Sequence, residues 1–237
     1  MELTMKEIFD NYIETSFGEF QQADFKLKQF NVNYRRFFPV DKNAAVLDIG
    51  VGRGEMLTCM KNWGYSQYQG MDISPSTINF CQTLGLHCSL AGDSLEWLRR
   101  YQGAFTLVTL LDVLEHIKKE QTITFLRSIY DALETGGALI VQVPNLQAPD
   151  GQLERYNDFT HESGFIEHSL QQVLLAAGFT QVSMFPFNDT VNDCWKELVR
   201  LRLRAIYWKW IRFCRQINGA INPEILSPTF YAVAYKQ

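Results

Sequence analysis

The sequence contains no run of about 18 uncharged apolar residues, so no membrane-spanning helix is expected. Its amino terminus, MELTMKEIFDNY, is acidic and lacks the basic start and apolar stretch of a secretory signal. Cysteine pairs at ligand spacing are also missing. Cys59, Cys81, Cys88, Cys194 and Cys214 are scattered and odd in number, which fits free thiols in a reducing cytoplasm. There is no excess of positive charge: 22 Lys and Arg stand against 26 Asp and Glu, for a net charge of −4. A generally basic nucleic-acid binder is therefore not indicated. Repeats and low-complexity tracts are absent.

Hydrophobic residues, in contrast, make up 46% of the 237 residues, enough for one large core. Charge is unevenly spread. Lys196, Arg200, Arg202, Arg204, Lys209, Arg212 and Arg215 face one acid, Glu197, so this segment carries +6 and the remainder −10 of the overall −4.

Residues 1–40 read as a helical cap rich in aromatics, including Phe9, Tyr12, Phe17, Phe20, Phe30 and Tyr34. Residues 41–237 then alternate between strand and helix. Strands are expected at 44–49, 68–72, 87–90, 105–111, 138–143, 181–187 and 230–235. Helices are expected at 55–62, 76–84, 94–100, 119–133 (stopped by Gly136-Gly137), 169–177 and 193–217. Apolar strands without alternation point to a parallel sheet buried on both faces. The expectation is a doubly wound, Rossmann-like, seven-stranded α/β sheet, mostly parallel, closed by an antiparallel last strand.

The segment Leu47-Asp48-Ile49-Gly50-Val51-Gly52-Arg53-Gly54 runs from strand to helix through three alternate glycines. Such a turn brings backbone N–H groups close to a ligand. A nicotinamide-type fingerprint needs a glycine where Glu55 stands. Asp48 would repel a pyrophosphate and attract an ammonium group, so a cationic ligand without phosphates is favoured. Asp72, with Ile73, ends the second strand, where a carboxylate can accept both ribose hydroxyls of a nucleoside. Asp93 and Ser94 follow the third strand and suit an adenine ring. Leu111 and Asp112 follow the fourth.

LDIGVGRG (47–54), MDIS (71–74), GDS (92–94) and LLDVLEHI (110–117) together resemble the class I S-adenosylmethionine-dependent methyltransferases over residues 44–187. The resemblance implies that Gly50, Gly52 and Gly54 line the methionine portion of S-adenosylmethionine, Asp72 the ribose and Asp93 the adenine. S-adenosylhomocysteine would be the product.

The loop after the fourth strand lacks the Asn-Pro-Pro-Tyr sequence suited to exocyclic amines of bases, and carries Asp112, Glu115 and His116 instead. A second loop, 155–162, carries His161, a candidate general base oriented by Asp158 or Glu162. His161, Asp158 and His116 are the catalytic candidates. No metal is expected, since His161 and His168 have no carboxylate pair at ligand spacing. Residues 158–179 are similar, more loosely, to methyltransferases of O-antigen-type surface polysaccharide assembly. That similarity implies a saccharide or lipid-linked glycan acceptor. A small natural product or quinone-like precursor, and a non-catalytic interaction module, are the alternatives. Nucleic-acid methylation rests only on the basic segment 196–215. The basic amphipathic helix at 193–217, with its tryptophans, suits contact with an anionic membrane at its inner face, packing on its own domain, or a partner interface. Whether the chain forms a homodimer is open.

Overall fold

The computed structural model describes residues 5–11, 13, 23–149, 151–189 and 195–237. Tyr12, Phe17 and Phe20 of the aromatic amino-terminal set, and Asp193 and Cys194 of the basic segment, lie outside these.

Seven strands form one sheet: β1 (Val46–Ile49), β2 (Tyr68–Asp72), β3 (Cys88–Leu90), β4 (Phe105–Leu111), β5 (Leu133–Pro144), β6 (Gln181–Pro186) and β7 (Thr229–Tyr235). Their order is β3-β2-β1-β4-β5-β7-β6. β1 to β5 are parallel, whereas β7 runs antiparallel to both β5 and β6. The order reverses between β1 and β4, and a crevice opens beyond the strand ends at such a switch point.

Both faces of the sheet are covered. On one, Phe125, Leu126 and Ile129 of α6 (Lys119–Ala132) and Leu170 and Leu174 of α8 (Glu167–Ala176) pack on Leu47, Val108 and Leu110. On the other, Phe30 and Tyr34 of α2 (Ala23–Tyr34) and Met56, Leu57 and Met60 of α3 (Glu55–Asn62) pack on Val46, Leu107 and Ile140. Burial of each such side chain contributes about 1.5–3 kcal/mol. The expected apolar strands thus have their physical cause: adjacent residues of β1 and β4 point into two different cores.

The remaining helices are α1 (Met5–Asp10), α4 (Pro75–Thr83), α5 (Ser94–Arg99), α7 (Gly151–Asn157) and α9 (Trp195–Ile217), with short 3-10 turns at Arg35–Phe37 and Leu114–His116. Pro75 occupies the first turn of α4 and Ser74 caps it, accepting from the Thr77 amide.

Two expectations fail. Gly136-Gly137 do not stop α6, which ends at Ala132. They lie inside β5, at a register shift between Phe105 and Leu107 of β4. A side chain on Gly137 would sit 2.9 Å from the Glu134 carbonyl oxygen, so the bulge requires glycine there. Residues 155–157, expected in a loop, instead close the short helix α7.

The amino-terminal helix is built into the core. Tyr34, fully buried, donates its hydroxyl to the side-chain carbonyl of Gln142 on β5. Asn33 clasps Asn188 through both its backbone groups, at 2.8 and 3.0 Å. The Tyr231 hydroxyl donates to the Asn33 carbonyl at 3.0 Å. Tyr34→Phe strips the buried Gln142 carbonyl of its donor. It should lower the free energy of unfolding by about 1–3 kcal/mol in a urea titration.

Candidate active site

A cavity of about 380 Å³ opens at the switch point. Asp48, Gly50 and Gly52 come from the β1 turn, Asp72, Ile73 and Ser74 from the end of β2, Ser94 from the start of α5, and Leu111 and Asp112 from the end of β4. Glu115, His116, Glu154 and His161 close the far side, and Phe9, Lys26 and Phe30 come from α1 and α2.

The β1 turn needs its glycines. Gly50, Gly52 and Gly54 all have positive φ, at 76°, 50° and 76°. A side chain on Gly50 would also strike Val113, at 2.2 Å. The turn therefore presents bare backbone to the cavity.

Asp48 is 2% exposed, and its carboxyl accepts from the Thr109 hydroxyl at 2.6 Å. Burial nevertheless pushes it up to about 8, so at neutral pH the carboxyl retains a proton. Asp72 is raised by burial too, while the Val51, Gly52, Ile73 and Ser74 amides favour its charged form. The Ser74 contact is 2.8 Å. Asp112 takes φ +55°, a strained value for a residue with a side chain, and no other described non-glycine residue has positive φ. Gln142 holds it, donating to both carboxyl oxygens at 2.9 Å. The Asp112 side chain lines the cavity, and desolvation raises its carboxyl.

On the far side, Thr160 donates to Asp158 Oδ1 at 2.6 Å and contacts His116 Nδ1 at 2.8 Å. With its hydroxyl proton given to Asp158, Thr160 accepts from His116, so Nδ1 carries the imidazole proton and Nε2 the lone pair. Burial lowers His116 to about 4, which keeps it neutral. His161 Nδ1 contacts the Glu154 carbonyl at 2.8 Å, which fixes the same tautomer. The two rings lie 4.7 Å apart, and Phe9 meets His116 edge-on at 6.2 Å. The buried Glu115 carboxyl is raised well above the usual range by burial and by neighbouring Asp112. The Glu115 carbonyl accepts from the Glu162 and Ser163 amides, which ties the two loops together.

Three expected residues stand apart from the lining. Gly54 lies behind it as the first residue of the turn into α3. Asp93 is exposed and caps α5, accepting from the Glu96 amide at 3.0 Å. Asp158 reaches His116 through Thr160, whereas the Glu154 carbonyl orients His161. Lys26, Phe9, Glu115 and Glu154 were not singled out as site residues. For Lys26, Phe9 and Glu154 the sequence surroundings give no sign of it, because the fold brings them in from separate segments; Glu115 stands beside His116 in LLDVLEHI, and that adjacency is its signal.

Residues 23–184 match the family of methyltransferase domains. The chain belongs to this family. A comparison with curated protein sequences gives no match. Among solved structures, it resembles an S-adenosylmethionine-dependent methyltransferase of Archaeoglobus fulgidus at 23% identity, over 91% of this chain and 97% of that one, with a TM-score of 0.67. A methyltransferase of Thermotoga maritima is 15% identical over 99% and 100% of the two chains, with a TM-score of 0.67. Phosphoethanolamine N-methyltransferase 2 of Haemonchus contortus, solved with S-adenosylhomocysteine, is 15% identical, with a TM-score of 0.61. That match covers 97% of this chain and 61% of the other. This methyltransferase uses S-adenosylmethionine as its methyl donor.

Asp48 makes the methyltransferase sensitive to pH. The native state holds a proton that the unfolded chain, with an ordinary carboxyl near 3.8, has released. Its contribution to stability is full below about pH 4 and is lost as pH rises to about 8. Asp48→Asn should therefore reduce the fall in stability across this window by up to about 1.4 kcal/mol per pH unit. Urea titrations of both proteins from pH 5 to pH 8 measure the difference; parallel curves would contradict a protonated Asp48.

Proposed function

We propose that the enzyme methylates a hydroxyl oxygen of a saccharide or lipid-linked glycan. The observation that carries the reading is the His116–His161 pair at the cavity's far side, with both rings held by Nδ1 so that Nε2 carries the lone pair. An alcohol attacking a sulfonium methyl group must lose its proton, and a lone pair on a neutral imidazole takes it. The oxygen then bonds to the methyl carbon in line with the breaking C–S bond, whose electron pair returns to sulfur to give S-adenosylhomocysteine.

In this proposal the cofactor's ammonium group meets Asp48, and its carboxylate meets Lys26. The backbone of Gly50 and Gly52 borders the methionine chain, with Gly54 completing the turn. Asp72 accepts the ribose hydroxyls. Ile73, Ser94 and Leu111 border the adenine, with Asp93 at the rim. Asp112 stands between donor and acceptor. Asp158 acts through Thr160 on His116. The described residues among 1–40 form the cap beside the acceptor, and those among 41–237 form the domain that carries it.

The glycan assignment draws further on α9. Trp195, Leu198, Leu203, Ile206, Trp210, Phe213 and Ile217 are exposed along it, and no described residue of the helix is buried. Arg200 and Arg204 pair with Asp189, while Arg212 and Arg215 donate to the Glu224 and Ile221 carbonyls. Lys196, Arg202 and Lys209 are exposed beside the apolar stripe. An anionic membrane carrying a lipid-linked acceptor offers both chemistries. No helix among the described residues is long and apolar enough to cross a membrane, so this contact is peripheral. A second reading, methylation of a small quinone-like or natural-product hydroxyl, is favoured by Phe9 and Phe30 lining the cavity.

Methyl-labelled S-adenosylmethionine, offered with oligosaccharides and with small phenols, should place its label on saccharide as an alkali-stable ether. Label on the phenols alone would select the second reading. Lys196→Gln, Arg202→Gln and Lys209→Gln together should reduce cosedimentation with anionic vesicles several-fold; unchanged cosedimentation would remove electrostatic attachment.

A further inference from the structure

Glu115, His116 and His161 meet although two of them come from the β4 loop and one from beyond α7. One donor atom from each lies within 4.8 Å of the others. Nitrogen and oxygen ligands each about 2.1 Å from an ion are about 3–4 Å apart, so a small side-chain rotation closes the set.

Two further observations point to a cation. Glu115 is 2% exposed, and its Oε2 has no hydrogen-bond partner among the described residues. A buried carboxyl oxygen without a donor gains a partner, and its ionised form is favoured, when a cation reaches it. The two histidines, moreover, are both oriented from behind. His116 donates Nδ1–H to Thr160, itself bonded to the Asp158 carboxylate, and His161 donates Nδ1–H to the Glu154 carbonyl. Metal-binding histidines are held in this manner, with the second nitrogen directed at the ion.

We propose that Glu115, His116 and His161 bind one divalent transition-metal ion at the acceptor side of the cavity, with an acceptor hydroxyl completing its coordination. Two imidazoles and one carboxylate suit Zn²⁺, Mn²⁺ or Fe²⁺ better than Mg²⁺ or Ca²⁺, which take oxygen ligands. Binding of the ion rests on the cluster alone; its role rests on the hydroxyl-methylation reading. With the ion bound, both Nε2 lone pairs are committed to it, and the ion replaces the imidazole as the group that activates the hydroxyl: it lowers the hydroxyl's pKa, and the proton leaves to water. The resulting alkoxide attacks the methyl group, and the C–S electron pair returns to sulfur as before. A vicinal diol, as in a saccharide, can offer two oxygens to such an ion.

Chelator-treated protein titrated with Co²⁺ tests the site by stoichiometry and by its visible absorption. S-adenosylhomocysteine binding is measured on the same samples. One Co²⁺ per chain is expected. His161→Asn and Glu115→Gln, substitutions close in size, should each weaken it at least tenfold while leaving S-adenosylhomocysteine affinity within twofold. Wild-type protein that binds S-adenosylhomocysteine but no Co²⁺ overturns the metal site alone. Equal Co²⁺ binding by the wild type and both variants also overturns it. A wild-type chain that binds neither compound overturns the metal site and the methyltransferase reading together.

Discussion

Six carboxyl residues and one lysine line the crevice: Asp48, Glu55, Asp72, Asp112, Glu115 and Glu154, against Lys26. This imbalance of charge is the constraint on which the rest of the site depends. Burial raises Asp48, Asp72, Asp112 and Glu115, so the charged form of each costs more here than in water. A cationic ligand relieves that cost. S-adenosylmethionine carries an ammonium group and a sulfonium, and its uncharged ribose hydroxyls need only an acceptor. A phosphate-bearing cofactor would add charge of the wrong sign. In the proposed arrangement the same electrostatics favour the cofactor and leave the Glu115 end of the cavity for a positive charge of its own.

The fold supplies Asp48, Asp72 and Asp112 at the C-terminal ends of parallel strands, and it holds them with groups drawn from elsewhere. Tyr34 on α2 donates to Gln142 on β5, and Gln142 donates to Asp112 at the end of β4. That relay keeps Asp112 in its positive-φ conformation. The helix that carries Tyr34 also carries Lys26, which ion-pairs with Glu55 at 3.7 Å. The β1 turn side and the β4 end of the crevice are therefore braced by one amino-terminal element, α2. The Asp158–Thr160–His116 chain performs the matching task at the other wall.

Strands and the cofactor turn were legible in the sequence because local constraints set them. A buried parallel strand must be apolar on both faces, and a tight turn against a ligand must be glycine. Gly136-Gly137 misled because a helix stop and a strand bulge demand the same residue, and only the β4 register tells them apart. Helix α7 was hidden because GQLERYN buries little beyond Gly151 and has no apolar stripe. Asp93 resembles a ligand-binding acid and a helix cap equally well in sequence, and here it caps. The Glu115–His116–His161 cluster was illegible for a different reason. His161 is distant in sequence from the adjacent Glu115-His116 pair and meets it only through tertiary structure, where spacing rules do not reach.

The central claim is that the acidic crevice binds S-adenosylmethionine with its ribose on Asp72 and its ammonium group beside Asp48. Isothermal titration of the purified chain with S-adenosylmethionine, repeated with Asp72→Ala, tests it most directly. Saturable one-to-one binding in the wild type, weakened by at least tenfold in the variant, is the expected result. Equal affinity in the two proteins would contradict the assignment of the crevice.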